Sequence, residues 1–103
     1  MNITSRYADI PEVVIDSEKV PEDFRHLLPL AREWSISDDA ELEAFIAAAS
    51  EEKKRGLADA FAPHFAGLWK WHQACADQVP QPDELVLFDI AANAANTVHS
   101  MLS

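Results

Sequence analysis

The sequence predicts an all-α fold: a compact bundle of four to five helices around a buried C-terminal helix, preceded by an extended arm. The 103 residues include only two glycines, so few tight turns are available. Hydrophobic residues make up 49% of the chain, which favours a packed core over disorder. The stretch from Asp83 to Leu102 is apolar around most of a helical circumference. We expect residues 1–20 to form the arm and residues 21–103 a single helical domain.

The N-terminal arm is expected to lie on the helices. Ile10-Pro11 favours extended backbone, and Val13-Val14-Ile15 is a short strand-like run. Because the chain offers no second run to pair with it, strand addition to a partner is an alternative. Met1 to Tyr7 contains no apolar run, so no secretory signal is expected.

The first helix is predicted to begin at Pro21, since proline is favoured at the first helical position and two acidic residues follow. Apolar residues then keep helical spacing through Pro29 as far as Trp34. A proline inside a helix removes one backbone hydrogen bond. Either the helix kinks with Pro29 on its outer face, or Pro29 opens a second short helix.

The second helix is predicted to follow a break over residues 35–39, with Ser37 or Asp38 as its cap. Asp38 and Glu41 have the spacing of a capping box. Its inner stripe consists of Leu42, Phe45, Ile46 and Ala49. Ser50 then caps the third helix, because two glutamates suitable for a first turn come directly after it.

The third helix is predicted to continue until shortly before Val79-Pro80. Its apolar stripe consists of Leu57, Phe61, His64, Phe65, Leu68, Trp71, His72 and Cys75. Pro63 falls on the opposite half of the helix, so we expect a kink towards solvent that preserves the stripe. Trp69 lies at the edge of the stripe, where it either anchors an interface or packs under the arm.

The last helix is predicted to be the central one. Two prolines end the preceding segment, and Asp83 is expected as N-cap with Glu84 in the first turn. The polar residues of this helix form one narrow strip: Asp89, Asn93, Asn96, Thr97 and Ser100. A helix apolar this far round is usually covered by several neighbours. Asp89 and the asparagines argue against a membrane span.

The chain is strongly acidic, with 18 acidic against 8 basic residues and a formal net charge of −10. Such a chain repels nucleic acid and anionic lipid and is attracted to basic surfaces, although solubility alone also explains the charge. The candidate partner-binding residues are Trp69 and four carboxylates within six residues: Asp38, Asp39, Glu41 and Glu43. Helix-dipole complementarity explains the first three carboxylates without a partner.

No motif for catalysis, metal binding or a cofactor stands out. His64, His72 and Cys75 share a stripe, but His64 and His72 would be about 12 Å apart on an ideal helix, too far to share a metal ion. Cys75, the only cysteine, excludes an internal disulfide and is expected to be buried and unreactive. No carboxylate is expected on an inner stripe; Asp89 comes nearest and is expected to face solvent or a buried asparagine network.

The leading functional hypothesis is a non-enzymatic, cytoplasmic protein-binding module that occupies a basic partner, as an inhibitor, an immunity-type antidote or a nucleic-acid mimic. An alternative is a homo-oligomeric subunit whose last helix pairs with its copy through an Ile90–Ala94–Met101 edge. If the protein is instead a monomer, Asn93, Asn96 and Ser100 are expected to line an internal polar seam. The remote alternative is a metal- or thiol-dependent enzyme centred on His72 and Cys75.

Overall fold

Five α-helices succeed one another along residues 6–102, the part of the chain that this computed structural model describes. They are α1 (Leu28–Glu33), α2 (Asp39–Ala48), α3 (Glu51–Phe61), α4 (Phe65–Ala74) and α5 (Asp83–Leu102). Short 3-10 helical segments occupy Tyr7–Asp9, Ser17–Lys19, Glu22–Leu27 and Ala62–His64. The predicted all-α bundle around its C-terminal helix is therefore confirmed. Residues 1–5 of the predicted arm, and residue 103, lie outside the described residues.

Helix α5 lies at the centre of the core, where α1, α3 and α4 pack against it. Its buried residues are Glu84, Leu85, Leu87, Phe88, Ala91, Ala94, Ala95 and Val98. Trp34, Leu57 and Phe61 are also less than 2% exposed and belong to the same core. The predicted central position of this helix is correct.

The opposite side of α5 is open to solvent. Asn93, Asn96 and Ser100 are exposed, so the predicted internal polar seam is wrong. The predicted Ile90–Ala94–Met101 edge is not continuous either, because Ala94 is fully buried while Met101 is 60% exposed. The short methyl group of Ala94 is covered by packed neighbours, whereas Met101 lies in the last turn of α5. The other helices cover one side of α5 and leave a broader polar surface than predicted.

The two internal prolines each mark the start of a new helix. Pro29 is the second residue of α1, and the preceding segment after Pro21 is 3-10 rather than α-helical. Of the two predicted alternatives for Pro29, the structure therefore supports the one in which it opens a second short helix. Pro63 lies in the 3-10 turn between α3 and α4, so the prediction of one kinked third helix is wrong. Proline lacks an N–H group, and its ring clashes with the preceding helical turn. Here these two effects end α3 instead of bending it.

The predicted helix caps at Asp38 and Ser50 are confirmed. Asp38 Oδ1 accepts a hydrogen bond from the backbone N–H of Glu41 at 2.9 Å, and Ser50 Oγ accepts one from Lys53 at 3.1 Å. These bonds satisfy backbone donors that have no partner within the helix. Asp83 was predicted to be the N-cap of α5. It is instead the first residue of this helix, and its side chain accepts a hydrogen bond from the hydroxyl of Tyr7 in the arm.

Residues 6–20 of the arm are fastened to the helices by side-chain hydrogen bonds. The hydroxyl of Tyr7 donates to Asp83 Oδ1 at 2.9 Å, and the backbone N–H of Asp16 donates to Glu84 Oε2 at 2.8 Å. Glu84 is only 2% exposed, which corrects the expectation that no carboxylate would be buried. Its burial is tolerated because the arm supplies the hydrogen-bond donor that water would otherwise provide. Residues 13–15 form no strand. The arm instead forms an isolated antiparallel β-bridge between Arg6 and Ile36.

Tyr7 is expected to titrate well above an ordinary tyrosine. Burial, followed by the hydrogen bond to Asp83 and the nearby negative charges of Asp83 and Glu84, raises the pKa of Tyr7 from 10.0 to about 12. The folded state therefore holds the phenolic proton more tightly than the unfolded state. The resulting stabilisation is complete below pH 10 and is lost as the pH rises from 10 to about 12.

Because Tyr7 is the only tyrosine, ultraviolet absorbance of tyrosinate reports its titration directly. The Tyr7→Phe variant is the control, since it should lose less of its free energy of unfolding across this alkaline range than the wild type. A native titration midpoint near that of free tyrosine would contradict the described contact with Asp83.

Candidate binding surface

A groove between α4 and α5 has a volume of about 510 Å³. It is lined by Phe65, Leu68, Trp69, His72, Asp89, Ala92, Asn93 and Asn96. Leu68 is buried and Phe65 is half-buried, whereas both asparagines are exposed. The groove therefore combines apolar surface with a small set of polar side chains, as ligand-binding sites commonly do.

His72 and Asp89 form a hydrogen-bonded pair inside this groove. His72 Nδ1 lies 3.0 Å from Asp89 Oδ2, and the two side chains are 35% and 40% exposed. An ionised carboxylate can only accept, so Nδ1 carries the hydrogen and donates it. The bond holds the Asp89 carboxylate in one orientation while leaving it accessible to a ligand. Sequence analysis missed this pair because the two residues lie 17 positions apart on different helices.

Trp69 forms the outer side of the groove. It is 60% exposed and stacks on His72, with ring centroids 5.6 Å apart and planes inclined by 15°. Trp69 is not buried beneath the described part of the arm. Of its two predicted roles, the position at an interface therefore stays a prediction. His72 thus stacks on an indole ring and forms a hydrogen bond with a carboxylate, and these two contacts restrict the orientation of its imidazole ring.

A second groove, of about 280 Å³, lies on the other side of the exposed strip of α5. It is lined by Glu43, Ile46 and Ala47 of α2 and by Thr97 and Met101 of α5. Asn93 of the first groove and Thr97 of the second are four residues apart and lie on neighbouring positions of the helix surface, so the two grooves flank the same strip of α5. We call the exposed strip of α5 together with its two flanking grooves the α5 surface.

The four predicted acidic residues do not form one patch. At about 100° per residue, Glu41 and Glu43 point about 200° apart, to opposite flanks of α2. Glu43 faces α5 and lines the second groove, and Asp39 lies one turn before it on the same flank. On the Glu41 flank, the ring of Phe45 is contacted by two cationic side chains, Arg6 and Lys53, so the charge there is mixed. Glu43 and Asp39 are the members of the cluster that adjoin the α5 surface.

His64, His72 and Cys75, which share the predicted apolar stripe, have different surroundings in the structure. Cys75 is 7% exposed, as predicted, and does not line the groove that contains His72. His64 lies against His26 and Phe24, with ring centroids at 5.2 and 5.7 Å. Within residues 6–102, no group of three or more histidine, cysteine, aspartate or glutamate side chains is placed to hold a metal ion.

The groove between α4 and α5 presents several polar and aromatic groups to a ligand. A histidine oriented by an aspartate is an arrangement used for general base catalysis. However, none of the side chains that line the groove is a serine, threonine, cysteine or lysine that such a base would activate. The available groups are an indole face, a carboxylate, an imidazole and two amides, which suit a ligand with hydrogen-bond donors and positive charge.

No helix among residues 6–102 combines the length and apolar character needed to cross a membrane. Neither protein-family models, nor curated proteins, nor solved structures match this chain.

Proposed function

We propose that this protein is a non-enzymatic protein-binding module that occupies a basic partner through the α5 surface, as an inhibitor, an immunity-type antidote or a nucleic-acid mimic. The observation that carries the proposal is the position of Trp69, which is 60% exposed beside a groove containing Asp89. Tryptophan is among the residues most enriched at binding hot spots. A large exposed aromatic ring next to an accessible carboxylate is suited to a partner that presents both apolar and cationic groups.

The charge of the chain supports a basic partner. The formal net charge is −10, and three of the acidic residues lie at or beside the grooves of the α5 surface: Asp39, Glu43 and Asp89. Such a field accelerates association with a basic protein and opposes binding to nucleic acid or anionic lipid. A cytoplasmic location belongs to the same proposal, since the only cysteine is unpaired.

Capture of partners from the source cells, followed by association kinetics at low and physiological salt, tests the proposal. We expect a basic partner whose association slows as salt rises. Trp69→Ala should weaken binding about tenfold or more, because a hot-spot side chain contributes more than about 1.4 kcal/mol. Glu43→Lys should mainly slow association.

Asp59→Lys is the matched control for Glu43→Lys. It makes the same change in net charge on the exposed side of α3 and lies outside both grooves. Its effect on association should be smaller than that of Glu43→Lys. A partner as acidic as this protein, affinity independent of salt, or unchanged binding by Trp69→Ala would each contradict the proposal.

A second candidate is a homodimer that forms through the same face of α5. It is favoured by Met101, which is 60% exposed, and by the half-buried Ile90. Exposed apolar side chains on one helix face are common in subunit contacts. Capture of the protein's own chain as the sole partner, with a dimeric mass by light scattering, would support this candidate instead.

A further inference from the structure

We infer that the groove between α4 and α5 binds an arginine side chain of the partner, with the guanidinium group at Asp89 and the aliphatic stem against Trp69. This inference rests on the proposed function and specifies what the partner inserts. The groove volume of about 510 Å³ is within the usual range of ligand sites, about 300–1,000 Å³, so one long side chain can enter it.

The acceptors of the groove are arranged along one side of α5. Asp89, Asn93 and Asn96 are spaced four and seven residues apart, so they follow one another on the same helix face. The carboxylate of Asp89 is already oriented by the hydrogen bond from His72 Nδ1 at 3.0 Å. A guanidinium group has five N–H donors in a planar fork and can bind a carboxylate through two parallel hydrogen bonds. Asn93 lies one helical turn from Asp89, so its amide oxygen is placed to provide a further acceptor for the remaining donors.

The carboxylate of the groove favours arginine over lysine, while its aromatic side packs the stem of either. Trp69 stacks on His72, and with 60% of the residue exposed its ring remains accessible to the aliphatic stem of an incoming side chain. The planar fork of a guanidinium group at Asp89 can bind the carboxylate through two hydrogen bonds. Lysine would bring a point charge without the fork that matches a carboxylate.

Other occupants fit the groove less well. An anionic group would meet Asp89 and the field of a chain with net charge −10. A purely apolar side chain would remove water from Asp89 and the two asparagines without replacing their hydrogen bonds, which is costly. The chemistry of the lining residues therefore selects an extended cationic side chain with several donors.

The probe for the test is N-acetyl-arginine N-methylamide, titrated into the full isotope-labelled chain and followed by nuclear magnetic resonance. We expect the indole N–H signal of Trp69 and the side-chain amide signals of Asn93 and Asn96 to shift in a saturable manner. The indole signal of Trp34 is an internal control, because this residue is fully buried outside the groove. The corresponding citrulline compound, a neutral molecule of nearly the same shape, should bind at least tenfold more weakly, and the lysine compound should be intermediate.

Asp89→Asn removes the negative charge with little change of shape and should weaken arginine binding about tenfold. Glu43→Gln makes the same charge change in the other groove and should leave the affinity within about twofold. Equal binding of the arginine and citrulline compounds, or full affinity in Asp89→Asn, would overturn the inference.

The outcomes separate this inference from the proposed function. If a basic partner is captured and depends on Trp69, but the citrulline compound binds as well as the arginine compound, the arginine inference alone fails. If the arginine compound binds at Asp89 but the captured partner is insensitive to Trp69→Ala, the docking proposal fails while the arginine site stands. A captured partner that is only a second copy of this acidic chain would contradict the proposal of a basic partner.

Discussion

Replacement of Phe88 by alanine is expected to lower the free energy of unfolding by about 3–5 kcal/mol. Phe88 is 1% exposed and lies where three other aromatic side chains meet. Its ring centroid is 6.5 Å from those of Phe24 and Phe61 and 5.6 Å from that of Trp71. These partners come from the 3-10 segment before α1, from α3 and from α4, so the truncation opens a cavity that no single element can collapse to fill.

Chemical denaturation followed by far-ultraviolet circular dichroism measures this loss. Met101→Ala is the control on the same helix, because Met101 is 60% exposed and should change stability by no more than about 0.5 kcal/mol. Phe88→Leu retains most of the apolar volume and should give a smaller loss, which keeps the comparison possible if Phe88→Ala does not fold. Similar losses for Phe88→Ala and Met101→Ala would contradict the central position of α5.

The two glycines of the chain are expected to respond in opposite directions to replacement by alanine. A methyl group at Gly67 would lie 2.8 Å from Cζ and 3.3 Å from Cε1 of Phe24. The Phe24 ring cannot easily move, because it is 7% exposed, stacks on Trp71 and meets His64 edge-on. Overpacking of this kind costs about 1–3 kcal/mol, offset in part by about 1 kcal/mol of improved helix propensity. We therefore expect a net loss of stability for Gly67→Ala.

Gly56→Ala is the matched control. It lies inside α3, is exposed, and has no atom within 4 Å of the position that a methyl group would occupy. Only the propensity gain applies there, so stability should rise by about 1 kcal/mol. Equal gains in the two variants would show that the backbone of α4 does not approach Phe24 as closely as described.

Much of the helical structure could be predicted because its causes are local. The caps at Asp38 and Ser50 depend on residues within three or four positions. The burial of α5 followed from its apolar circumference, and that of Cys75 from its place on an apolar stripe. The effect of Pro63 is not decided locally, and it was predicted wrongly. Whether a proline bends or ends a helix depends on how the flanking segments pack.

The candidate site was predicted only in part. Trp69 and Glu43 were identified as partner-binding candidates, and they line the two grooves beside α5. Asp38, Asp39 and Glu41 are neighbours of Glu43 in sequence, but none of them lines either groove. Asp89 was expected to face solvent or a buried asparagine network; it is 40% exposed and bonds to His72 on another helix, a partner that the sequence could not reveal.

The sequence by itself determined most of the helical segments, the apolar stripes along them, and that α5 would be the central helix. These properties follow from periodicity and capping, whose interactions span a few residues. The tertiary structure alone decided that the arm buries Glu84, that His72 meets Asp89, and that Trp69 remains exposed. Each of these depends on how separate segments are placed against one another, which the order of residues within any one helix does not specify.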